Sequence, residues 1–104
     1  MILPRRGEVW LTDLGMIAKV RPVLVLSVPF ADRDYALFHV VPHTTASRGS
    51  QFEVEVSVPW LERGAFNIQG SQSIPRNNLI RVLGVLTQSQ VALVADSFRR
   101  WLQL

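Results

Sequence analysis

Apolar and polar positions alternate cleanly with a period of two from Phe52 to Val58 and imperfectly from Glu8 to Leu14; near the end of the chain the period lengthens to that of a helix. Val23-Leu24-Val25-Leu26 departs from the alternation as an unbroken apolar run, which predicts a strand buried on both faces. Pro22 suits the opening of that strand, because the first position need not donate to the ladder. It also restricts Arg21, just before it, to extended backbone. Glu8 to Leu14 predicts an earlier strand, with Val9, Leu11 and Asp13 on one face and Trp10, Thr12 and Leu14 on the other. Tyr35 to Val41 predicts a third, mostly apolar and therefore central, ended by Pro42, which cannot donate within a ladder.

Phe52, Val54, Val56 and Val58 inward, with Glu53, Glu55 and Ser57 outward, predict a regular period-two strand. Ala65 to Ile74 is a weaker strand pattern interrupted by Gly70, and Leu79 to Leu83 a short one closed by Gly84. The last element is a helix. Thr87 and Gln90 have the spacing of a capping box, and Leu86 and Val91 that of a hydrophobic staple. Val91, Val94, Ala95, Phe98, Trp101 and Leu102 then fall on one face, which would pack on a sheet. Arg99 and Arg100 in the last turns complement the helix dipole. The expected fold is mainly β (α+β): a strongly bent antiparallel barrel with a C-terminal α-helix packed on it.

Composition narrows the class. At 104 residues the chain is a single domain, 1–104, and 48% hydrophobic against 18% charged residues makes it folded rather than disordered. No apolar run approaches the roughly 20 residues of a membrane helix, and the N-terminal stretch lacks the apolar region of a secretory signal. With no cysteine there are no disulfides or thiolate metal sites, which suits a cytoplasmic setting. The net charge is +3, yet the basic residues are spread, six of the eleven in the first fifty, so charge by itself supports nucleic-acid binding only weakly.

Two segments carry a resemblance. Arg6-Gly7-Glu8-Val9-Trp10-Leu11 followed by Val20-Arg21-Pro22-Val23-Leu24-Val25-Leu26-Ser27 resembles the opening of the MazF/PemK family, the toxin halves of bacterial type II toxin–antitoxin pairs. Val41-Pro42-His43-Thr44-Thr45, then Phe52-Glu53-Val54, matches in order and spacing. The resemblance implies an SH3-like barrel and a metal-independent endoribonuclease. Its 2′-hydroxyl attack on single-stranded RNA leaves 2′,3′-cyclic phosphate and 5′-hydroxyl ends. It further implies no cofactor, a homodimer, and an antitoxin whose acidic flexible tail competes for the RNA groove.

Such chemistry needs a charge stabiliser for the phosphorane and proton transfer at the 2′ and 5′ oxygens. Arg21 has the planar fork to hold two phosphoryl oxygens, although an arginine there can equally pair with Asp13 or another strand carboxylate. Thr44 can donate to a phosphoryl oxygen, or make the local turn bond common to threonines after a strand. The resemblance assigns the catalytic roles to Arg21 and Thr44, with Thr45 in support. His43 beside them has an imidazole suited to proton shuttling, although alternation turns neighbouring residues to opposite faces.

Lys19 and Arg48 are candidate phosphate contacts, and Gln69 and Gln72 candidate readers of base edges. The family carries an Asp-Gln pair on that last strand, whereas this chain reads Ile68-Gln69-Gly70-Ser71-Gln72, without the acid. His39 reads as a core histidine, Ser27 as structural, and Glu8 as a group that can orient Arg21. Trp60 is a candidate for stacking, although core burial is its commoner fate. Two histidines without a clustered carboxylate do not make a metal site. Gly15 to Val20 is about six residues, where the family has a longer loop. A rival of the same barrel fold is a gyrase-poisoning toxin like CcdB, whose terminal Trp-Gly-Ile signature is replaced here by Trp101-Leu102-Gln103-Leu104.

Overall fold

A computed structural model describes residues 3–15 and 19–104. Seven strands are followed by one helix: β1 (Glu8–Asp13), β2 (Val20–Val25), β3 (Phe38–Thr44), β4 (Glu53–Val54), β5 (Ala65–Asn67), β6 (Gln72–Ile74), β7 (Leu79–Val85) and α1 (Gln88–Leu102). Short 3-10 turns fill Ile68–Gly70 and Arg76–Asn78. The strands form one antiparallel sheet in the order β4-β5-β3-β2-β1-β7, with β6 pairing the same side of β3 as β5. The sheet is open between β4 and β7, and α1 covers one of its faces.

The apolar run in β2 feeds two cores. Leu24 and Leu26 point to one face, where Val9, Val41, Phe66 and Ile68 meet Leu86, Val91 and Val94 of the helix region. Val23 and Val25 point to the other, with Trp10, Phe38, Val40, Ile74 and Leu79. This is why the run alternates with nothing: both its faces are interior. Each fully buried aliphatic side chain contributes about 1.5–3 kcal/mol relative to exposure, and Val23, Leu24 and Val25 are all inaccessible to solvent.

The helix begins as its sequence predicts. Thr87 Oγ1 accepts from the Gln90 N–H at 3.2 Å, and Gln90 Oε1 accepts from the Thr87 N–H at 2.9 Å. Gln103 closes the helix in the left-handed region at φ 57°. Its last turn is less buried than the heptad-like spacing suggests: Trp101 and Leu102 are exposed, with Trp101 resting edge-on against Phe98.

Several strand boundaries differ from expectation: β7 runs on through Gly84 to Val85 instead of closing at that glycine, and the Ala65–Ile74 pattern splits into β5 and β6 around Ile68–Gly70. The period-two pattern from Phe52 to Val58 is real in burial, with Val56 buried between exposed Glu55 and Ser57, but only Glu53–Val54 forms a ladder, because its partner β5 is three residues long. The strand expected at Tyr35–Val41 instead runs from Phe38 through Pro42 to Thr44. Pro42 is tolerated there because Leu26 N–H donates to His39 O, so residues 39, 41 and 43 bond toward β2 while 38, 40 and 42 bond toward β5 and β6. Between the pairs His43–Phe66 and Val40–Gln72 the chain leaves the ladder in the Ile68–Gly70 turn, so no ladder pair is made at Pro42 on that side. Finally, β2 starts two residues before Pro22. Of the Gly15–Val20 connection, residues 16–18 lie outside the described residues; at its base Leu14 N–H bonds to Lys19 O at 3.0 Å. Among the described residues no helix is long and apolar enough to cross a membrane.

Candidate active site

The pairing of β2 with β3 runs Val25–Val40, Leu24–Val41, Val23–Pro42, and stops. The alternation of ladder bonds explains the stop. Leu26 and Leu24 direct their N–H groups toward β3, and the next residue of that parity is Pro22, which has no N–H to give. Beyond this point β3 pairs on its other side with β5, His43 with Phe66 and Thr44 with Ala65. Continuing the β2–β3 register by two residues sets Arg21 across from Thr44, on the same face of the sheet, where the ladder between their strands has ended. Arg21 is fixed from its other side by β1, paired to the fully buried Thr12.

Thr44 is half-buried, and its Oγ1 accepts the Ala46 N–H at 3.1 Å. That is the local turn bond foreseen as the structural alternative. It occupies one lone pair and leaves the hydroxyl hydrogen to donate elsewhere, so the two roles coexist.

His43 does not join this pair. It is 3% exposed, turned to the opposite face with its ring edge-on to Phe66 at 5.1 Å. Burial lowers its pKa below the ordinary histidine value, partly opposed by the charge of Glu62. Its Nε2 is buried without a hydrogen-bond partner. His39 is likewise lowered by burial; its Nδ1 meets Ser73 Oγ at 3.0 Å.

The other candidates scatter. Gln72 is exposed and, paired through Val40 to Val25, shares the face of Arg21. Thr45 is exposed at the rim of a groove described below. Gln69 is exposed on the first 3-10 turn, and Lys19 is exposed at the hairpin base with φ 59°. Arg48 sits in a loop tied down by Glu53, whose carboxylate accepts the N–H groups of Arg48 (3.1 and 3.2 Å) and Ser50 (2.7 Å). Glu8 does not reach toward Arg21. It lies at the other end of β1 and accepts from the Arg5 N–H and Trp10 Nε1. Trp60 packs on β7 so closely that a Cβ on Gly84 would stand 2.4 Å from its ring, which makes it a packing residue.

Two features escape sequence inspection. Arg76 lies over the Trp10 ring at 5.0 Å, a cation–π contact between segments far apart in the chain. A groove of about 440 Å³ opens beside the backbone of Thr44, lined by Thr45, Glu55, Ser57, Glu62, Arg63 and Gly64 among others. Only the glycine carried a hint: a Cβ at Gly64 would stand 2.1 Å from the Thr44 carbonyl oxygen.

Past the end of the ladder, the continued register carries an arginine on β2 and a threonine on β3. Residues 5–102 match the model of the PemK-like, MazF-like toxins of type II toxin–antitoxin systems, and the chain belongs to that family. The fold is similar to that of a mycobacterial endoribonuclease solved with its cognate antitoxin (24% identity, 98% of this chain and 97% of that one, TM-score 0.83). It is similar also to the Mycobacterium tuberculosis toxin MazF-mt6 (29% identity, covering 93% and 97%, TM-score 0.78) and to MazF of Deinococcus radiodurans (23%, covering 100% of both chains, TM-score 0.83). Comparison with curated protein sequences returns no match.

Proposed function

We propose that this toxin is an endoribonuclease that cuts single-stranded RNA, with Arg21 and Thr44 acting on one scissile phosphodiester. The observation that supports this is the β2–β3 register, whose continuation by two residues past Val23–Pro42 would bring Arg21 opposite Thr44. The 2′-hydroxyl attacks the adjacent phosphorus, the P–O5′ bond breaks, and a 2′,3′-cyclic phosphate and a 5′-hydroxyl result. The proton released at O2′ balances the one taken up at O5′, and Arg21 and Thr44 supply the charge stabilisation that a metal would otherwise provide. Arg21 holds the phosphoryl oxygens with a charge that persists at any working pH, and Thr44 adds a hydroxyl donor. Proton transfer is not assigned to His43, whose ring is buried on the opposite face. Gln72, which shares the Arg21 face, is a candidate reader of bases, and Lys19, Arg48, Thr45 and Gln69 are candidate RNA contacts.

The complexes of related toxins support a cognate antitoxin as partner, its acidic tail competing with RNA for the same cations. A homodimer is supported by β7, an edge strand whose Ile80, Val82 and Val85 are exposed. A cleavage assay on a mixed RNA pool in the presence of EDTA tests the function. Wild type should yield cyclic-phosphate ends, and Arg21→Ala and Thr44→Ala should not; cleavage by Arg21→Ala at the wild-type rate would overturn it.

A further inference from the structure

Arg76 carries a charge that the fold leaves unmatched. Its guanidinium lies 5.0 Å from the centroid of the Trp10 ring, and its Nη1 donates to Leu79 O at 2.7 Å. Its Nε is buried without a hydrogen-bond partner. No carboxylate pairs with it: among the described residues the one salt bridge joins Arg99 to Asp96 on the helix. An apolar side chain would also cover Trp10, and would leave no buried donor unsatisfied. Packing alone therefore does not account for an arginine here.

The register places this cation on the face that carries Arg21. Trp10 pairs with Val23 and Thr12 with Arg21, and alternation along both strands puts these four residues on one side of the sheet. Leu79 pairs with Thr12 in turn, so Leu79, Thr12 and Arg21 form a row across three neighbouring strands. At about 4.8 Å per strand spacing, Leu79 stands roughly 10 Å from Arg21 along that row. The turn bearing Arg76 is fastened to the same end of β1 by Asn78 Nδ2, which donates to Asp13 O at 2.8 Å. Arg76 is half-buried, held in place without being sealed from solvent. Glu8, on the other side of Trp10 from Thr12, is taken up by the Arg5 N–H and Trp10 Nε1.

From this we infer that Arg76 is a second phosphate-binding residue, gripping a phosphate that flanks the scissile one. Two cations spaced along one face match the repeated charges of a polynucleotide, and a planar fork suits phosphate oxygens. Stacking on Trp10 and the bond to Leu79 O orient that fork before RNA arrives, which lowers the ordering cost of binding. The assignment rests on the ribonuclease function proposed above and adds a contact to it.

The test measures binding of an oligonucleotide that contains a mapped cleavage site, with a 2′-deoxy sugar at the attacking position, over a series of salt concentrations. Each phosphate contact on a single strand contributes about 0.7 to the slope of log K against log salt. Arg76→Gln should flatten the slope by about that amount. Arg100→Gln, the same loss of charge on the helix that covers the opposite face, should keep the wild-type slope. A second measurement needs no protein variant: neutralising one phosphate beside the cut as a methylphosphonate should weaken binding to wild type. In Arg76→Gln, checked for folding by a thermal melt, that penalty should disappear. An unchanged slope in folded Arg76→Gln, an equal flattening in Arg100→Gln, or a wild type indifferent to every flanking methylphosphonate overturns the contact alone. RNA left uncut by folded wild type overturns the ribonuclease function itself, so the two failures are distinct.

Discussion

The two ends of the β2–β3 pair differ in everything that matters here. From Val23 to Leu26, opposite Pro42 to His39, the strands are zipped and their side chains fill two cores. From Pro22 toward the chain start the β2–β3 ladder has ended; Arg21 pairs with Thr12 of β1, and Thr44 with Ala65 of β5. Arg21 belongs to the same strand, two residues before the buried Val23, and is itself only half-buried.

The comparison predicts opposite phenotypes at its two ends. Leu24→Ala, at a position with no solvent exposure, should cost about 2–5 kcal/mol of stability by urea denaturation, through lost burial and the cavity left behind. A smaller loss would mean that the zipped end is not the rigid half. Arg21→Ala should reverse the pattern: cleavage reduced about 10²–10³-fold in kcat, as for loss of one preorganised charge stabiliser, with a thermal midpoint close to wild type. Gly64→Ala should destabilise by about 1–3 kcal/mol, since its Cβ has no room beside the Thr44 carbonyl. Its activity loss should exceed what unfolding explains, as measured at a temperature where the variant is fully folded.

The smallest effect concerns pH. Burial holds His39 and His43 below the ordinary histidine pKa, so the folded state binds fewer protons than the unfolded one in that range. Stability should therefore be complete above about pH 6.5 and fall as the pH drops from there through the lowered folded-state values. His43→Gln should flatten part of that slope in a series of thermal melts; an unchanged slope would show that the ring is solvated.

Much of this was legible in the sequence. The apolar run at Val23–Leu26 announces a strand with two interior faces, and Thr87-x-x-Gln90 announces the helix start, because both depend on nearest-neighbour chemistry. The positions of Arg21 and Thr44 were legible as candidates, while their opposition was not, since it follows from a register between strands some twenty residues apart. Pro42 misled for a related reason. A missing donor need not end a strand where the neighbouring pairing is interrupted, and the Ile68–Gly70 turn that interrupts it is distant in sequence. Glu55, Glu62 and Gly64 form a groove only once β5 is laid against β3, which no local pattern encodes.

The most direct test is a double-mutant cycle on RNA cleavage with Arg21→Ala, Thr44→Ala and the combined variant, comparing kcat/KM on one substrate. If both side chains act on the same phosphodiester, the combined loss should fall well short of the product of the single losses, with a coupling of about 0.5–3 kcal/mol. Losses that simply multiply, or a single variant with wild-type activity, would mean that the two residues do not meet on one phosphate.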